Sequence, residues 1–193
     1  MSTRRRTRAL AVLAAGAAVT WLLTAAPGAN AGQGADGERT RGERTGGGLH
    51  GPYVTHPEMK PRDNPAGDVC PFDMHTEFPV ADLTLRTWKN DAGDPVFGIE
   101  SGPLVARVTN TETGETVERD ISGTGTHTYP DKNTDILSGT DWAGVLHKGD
   151  KPANKLIIAR GYLSIKITTE GDRTKREVLA LDGEYEDLCE TLS

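Results

Sequence analysis

From Cys70 onward, apolar and polar positions alternate with a period of two along nearly every run, the pattern of strands buried on one face. Cys70, Phe72, Met74, Thr76 and Phe78 form the first such series, and Leu83 and Leu85 the next. Leu104, Ala106 and Val108 share a face opposite Arg107 and Thr109, and Val117 and Ile121 lie opposite Glu118 and Asp120. The longest series, over residues 155–169, points Ile157, Ala159, Gly161, Leu163, Ile165 and Ile167 one way and Arg160, Ser164, Lys166 and Thr168 the other. Helical spacing appears nowhere over a comparable length, and only residues 183–192 suit a short helical turn. Turn-forming residues fall between the runs, at 90–95, 110–115, 130–133, 148–154 and 170–173, with Gly114 available for a positive φ. About eight strands are expected, in a single domain over residues 69–193.

Two segments precede that domain. Arg4, Arg5, Arg6 and Arg8 lead into an apolar stretch that ends at Pro27 and Gly28, and Ala29-Asn30-Ala31 has the small residues a signal peptidase requires. Residues 1–31 are therefore expected to be a signal peptide, cleaved after Ala31, and the protein to be secreted. A retained anchor is the alternative, but the stretch is Ala-rich, near the lower length limit for spanning, and lacks a basic stop-transfer run. Thr7 and Arg8 stand where a twin-arginine signal needs apolar residues, which favours the general export route. Residues 32–68 are rich in glycine and then in proline, with Pro52, Pro57, Pro61 and Pro65 at close intervals, and offer little apolar surface. They read as a disordered tether that stiffens toward its proline half. His50 and His56 lie in it with no further metal-ligand spacing around them.

Charge and cysteine usage narrow the partners. The net charge of −6 becomes −10 once the four signal-peptide arginines leave. So acidic a chain repels phosphate backbones and anionic lipid, so neither nucleic acid nor, after signal cleavage, membrane is expected as a partner. The two cysteines of an exported chain are expected to pair. Cys70 and Cys189 stand 119 positions apart at the two ends of the strand-rich segment. Such a bridge suits an antiparallel barrel or closed meander, whose first and last strands are neighbours. A β-sandwich is the alternative, although the immunoglobulin type places its disulfide between interior strands.

Cys70-Pro71-Phe72, the hairpin Thr109-Asn110-Thr111-Glu112-Thr113-Gly114 followed by Ser122-Gly123, and Asp187-Leu188-Cys189 together resemble a group of small secreted actinobacterial proteins, mostly uncharacterised. The resemblance spans most of the domain. It implies an exported β-domain and carries over no catalytic residue, because its motifs are turns and a bridge.

Candidate chemistry is sparse. Asp131-x-Asn133-x-Asp135 opens like a calcium loop, but Ile136 stands where the glycine is required and Trp142 where the closing glutamate belongs, so a solvated turn is expected and no metal site. Asp73 and His75 fall on the face opposite Phe72 and Met74 and are expected to point outward. His127 and His147 have no partner spacing and read as structural or surface residues. Ser122 and Ser138 do not fit a nucleophile elbow, and no phosphate loop or zinc cluster occurs, so neither a catalytic residue nor a cofactor is assigned. Trp88, Tyr129, Trp142 and Tyr162 are the bulky amphipathic groups able to line a ligand surface. The reading is a non-catalytic extracellular module that binds an unidentified ligand or protein. The competing reading is a small β-barrel enzyme or isomerase for a hydrophobic ligand, with Asp73, His75, Arg86 or Arg107 turned inward. A secreted protease inhibitor ranks last, since a single bridge cannot staple a rigid loop.

Overall fold

The computed structural model describes residues 48–193, and the runs that alternate with a period of two become strands. In chain order the strands are β1 (His50–Thr55), β2 (Arg62–Asn64), β3 (Met74–Ala81), β4 (Thr84–Lys89), β5 (Pro95–Gly102), β6 (Leu104–Asn110) and β7 (Thr116–Asp120). They continue with β8 (Gly123–Asp131), β9 (Thr134–Thr140), β10 (Ala143–Leu146), β11 (Lys155–Ala159), β12 (Tyr162–Glu170), β13 (Arg173–Asp182) and β14 (Tyr185–Asp187). One helical turn follows, α1 (Leu188–Thr191), at the place the sequence suggests. All pairings between these strands are antiparallel.

Three sheets result: a seven-stranded sheet ordered β1-β4-β5-β8-β9-β12-β13, a four-stranded sheet β2-β3-β6-β7, and a three-stranded sheet β10-β11-β14. The expected eight strands are therefore fourteen among the described residues. The edges of the large sheet, β1 and β13, do not pair with each other, so its hydrogen-bonded order stays open.

The small sheet explains the densest apolar stretch of the chain. Leu156, Ile157, Ile158 and Ala159 are consecutive and all buried. Leu156 and Ile158 join Met74 and Val108 of the four-stranded sheet in one apolar cluster. Ile157 faces the other way, as does Gly144, whose Cα packs toward Ile165 and Leu163 of the large sheet. A strand covered on both faces has no polar side, and its sequence reads as a continuous apolar run. The single long strand expected over 155–169 is accordingly two, β11 and β12, in different sheets, broken at Arg160-Gly161.

The disulfide joins Cys70 to Cys189, with their Cα atoms 5.1 Å apart. Cys70 lies just before β3 and Cys189 within α1, so the bridge ties the entry to the four-stranded sheet to the end of the chain. Both cysteines sit in the larger apolar cluster with Val69, Phe72, Leu188 and Leu192. Asp187 caps α1 by accepting from the Cys189 N–H at 3.1 Å, and its other oxygen meets Lys155 Nζ at 2.6 Å. The 110–115 hairpin forms as expected: Gly114 takes φ 77°, and the buried Asn110 donates its amide to the Leu192 carbonyl at 2.9 Å.

The tether boundary needs correction. Residues 50–55 pair with β4 and residues 62–64 with β3, so the folded unit begins well before Val69. Every residue of β1 is exposed, which is why its sequence carries no alternation to announce it. The expected signal peptide and the first part of the tether lie outside the described residues.

Candidate functional site

A cavity of 190 Å³ opens between the large and the four-stranded sheets, with β10 along one side. Its walls are mostly apolar: Phe78, Leu83, Leu104, Ile121 and Val145 contribute, and Trp142 lies on the side of the large sheet. Pro57, Met59 and Arg62 also line it. Pro57 and Met59 belong to the strap between β1 and β2 and Arg62 opens β2, so the stretch read as tether forms part of the cavity. A second space of 70 Å³ shares Arg62, Phe78, Ile121, Ala143 and Val145 with the first and extends toward Met74 and Val108.

Glycines make room for the indole. Gly125 on β8 and Gly139 on β9 are directly opposite each other, and a Cβ on either would overlap the Trp142 ring. The ring thus lies flat on bare backbone, which no residue other than glycine permits there. Trp142 Nε1 is buried against this floor without a hydrogen-bond partner.

Glu100, on β5, is the carboxylate in the cavity wall. The sheet register puts it beside Gly125 and one pleat from His127 on β8. His127 Nε2 stands 3.6 Å from a Glu100 oxygen, and His127 Nδ1 stands 3.0 Å from Asp135 on β9. Tyr129 stacks on the imidazole with centroids 6.0 Å apart. His127 is 8% exposed. Burial alone would push the imidazolium pKa down, but the carboxylates of Asp135 and Glu100 on its two edges outweigh that and raise it to about 9. Burial and the same two carboxylates push the Tyr129 hydroxyl up to about 12. The ring separates the two acids, so the three groups face the imidazole rather than a common point where a cation could sit. Among the described residues no cluster of three or more His, Cys, Asp or Glu side chains has a metal-binding arrangement.

The four aromatic candidates divide. Tyr129 and Trp142 belong to the inner side of the large sheet. Trp88 pairs with Phe97 across β4 and β5, 5.7 Å between centroids, on the face opposite Gly98 and His127. Tyr162 is 43% exposed and stands across from Thr140 on that same outer face. No single surface gathers all four.

The polar groups named for the enzyme reading do not turn inward. Asp73 is exposed, while Met74 beside it is 2% exposed, as alternation requires. His75 meets Asp63 at 2.6 Å near the surface, Arg86 is exposed, and Arg107 is held between Glu77 and Glu118. The groups that do turn in are Glu100, His127 and Asp135, and sequence reading missed all three as a set. Asp135 is not part of a solvated turn: only Asp131 and Asn133 are, with the Asn133 N–H donating to Asp131 at 2.8 Å. His147 is likewise partnered, its Nδ1 lying 2.9 Å from Asp68. No family model, curated protein or solved structure matches this chain.

Proposed function

We propose that this is an exported binding module that takes a small, mostly apolar molecule into the cavity that the 56–61 strap helps to line, with Glu100 receiving a hydrogen-bond donor on that molecule. The observation that carries it is the cavity: 190 Å³ with predominantly apolar walls and one carboxylate, Glu100, in its lining, the usual make-up of a small-molecule site. A raised pKa of about 9 keeps His127 charged across the physiological range. It therefore stands as a lasting positive charge 3.6 Å from Glu100 rather than as a group that cycles a proton, which favours binding over acid–base catalysis. Architecturally we read the three sheets as a layered open sandwich, with the three-stranded sheet as a partial middle layer, rather than a closed barrel. Export rests on the residue 1–31 pattern, the disulfide and the resemblance to secreted actinobacterial proteins; no described helix is long and apolar enough to cross a membrane.

Fluorescence titration with N-phenyl-1-naphthylamine tests the reading. Saturable enhancement is expected, falling stepwise in Ala143→Leu and Ala143→Phe, because Ala143 lines both spaces. Thermal melts check that each variant folds. Absence of saturable binding, or equal binding by the folded variants, would overturn the proposal.

A further inference from the structure

The corner where the β10–β11 loop meets β13 has a charge opposite to that of the whole chain. Two adjoining concavities, of 450 and 250 Å³, share Gly149, Lys175 and Arg176 in their linings. Lys148, Lys151, Lys166, Arg173, Lys175 and Arg176 line them, against only Asp150, Asp172 and Glu177. Arg176 is paired with the buried Asp150 at 3.6 Å and Lys166 with Glu177 at 2.8 Å. Lys148, Lys151, Arg173 and Lys175 make no ion pair among the described residues.

This platform is built into the fold. The Asp150 carboxylate accepts from the Arg176 N–H at 2.7 Å and from the His147 N–H at 2.6 Å. Lys151 donates its N–H to the Arg176 carbonyl and accepts from the Val178 N–H, at 2.9 and 2.7 Å. These bonds hold the loop along the free edge of β13, so cations from β12, β13 and the loop stand together on a fixed support.

We propose that this trough binds a linear phosphate-bearing polymer without bases, of the polyol-phosphate kind. The charge speaks for an anion, and two joined concavities speak for an extended one. The lining speaks against the other polyanions. It contains no Trp, Tyr or Phe on which bases could stack and no apolar side chain to enter a bilayer. Net charge argues against phosphate partners only when it is spread evenly, and here it is segregated.

The test is binding of oligomeric poly(glycerol phosphate), followed by calorimetry at several salt concentrations. The full chain should bind at low salt and weaken as salt rises, the log–log slope reporting the phosphates neutralised. Lys148→Gln/Lys151→Gln/Arg173→Gln/Lys175→Gln should lose at least about tenfold in affinity, a change of ~1.4 kcal/mol, while keeping its melting temperature. Lys89→Gln, on β4 and five strands from β13 in the order of the large sheet, should change nothing. Absence of binding, equal binding by the folded quadruple variant, or an equal loss in Lys89→Gln would overturn the proposal. So would equal or tighter binding of oligo(dT) of matched charge or of phosphatidylglycerol vesicles.

Discussion

His127 shows how one residue can couple the site to the stability of the whole domain. Its pKa rises from 6.5 to about 9 on folding because Asp135 and Glu100 hold its charge in a buried place. A group whose folded pKa is raised stabilises fully below its unfolded value and loses that contribution as pH climbs through the folded one. Stability from this residue is therefore complete below about pH 6.5 and gone above about pH 9. The shift corresponds to at most about 3 kcal/mol. Urea melts at pH 6.5 and 9.5 should show the native protein losing up to that amount relative to His127→Gln, in which the decline over this window disappears. Identical pH profiles for the two proteins would show that the imidazole is not held as an ion between its two acids. In the variant, Asp135 and Glu100 lose their cation, so its stability at pH 6.5 should be lower by about 2–3 kcal/mol, the usual cost of leaving a buried partner unpaired.

At the scale of elements, β11 makes the sharpest prediction. On β6, Val108 is buried and Arg107 is not, so truncating alternate positions should have unequal effects. On β11, Ile157 and Ile158 are both 1% exposed, Ile158 packed with Met74 and Val108 and Ile157 on the opposite side with Gly144, toward Leu163 and Ile165. Ile157→Ala and Ile158→Ala should each cost about 2–5 kcal/mol by denaturant melts, because each leaves a cavity between packed sheets. A near-neutral result at either position would mean that one face of β11 is open. Much of this organisation is legible in the chain. The β3 and β6 alternations, the 110–115 hairpin and the terminal helical turn follow from local pattern and turn chemistry. The β11/β12 break does not, because Ile157, Ala159, Gly161 and Leu163 keep the same parity across it; the four successive apolar residues 156–159 were the available clue. β1 and β2 escaped notice because exposed edge strands bury too little to leave a pattern. The Glu100–His127–Asp135 set was invisible for another reason: its members come from three neighbouring strands, and only sheet register brings them together.

Across the whole molecule, the disulfide decides how the described chain is closed. Cys70 and Cys189 are 119 positions apart, so the bridge removes far more freedom from the unfolded chain than from the folded one. A loop of that length corresponds to roughly 4–5 kcal/mol in the chain-entropy model, with realised values often smaller. Whether the folded state tolerates its loss depends on what else holds the C-terminal turn. Leu188 and Leu192 are fully buried, Asn110 donates to the Leu192 carbonyl at 2.9 Å, and β14 pairs with β11. Arg119 adds a two-pronged contact to Glu186, at 2.7 and 2.6 Å. These contacts do not need the bridge. The reduced protein should therefore keep its native circular dichroism and the slow hydrogen exchange of β11, while its unfolding free energy falls by about 3–5 kcal/mol. Its denaturant m-value should rise, because the unfolded chain is free to expand. Fast exchange confined to residues 185–193 after reduction would contradict this, showing that the bridge rather than packing keeps α1 in place. A stability loss below about 1 kcal/mol would contradict it differently, by showing that the unfolded chain stays compact without the bridge.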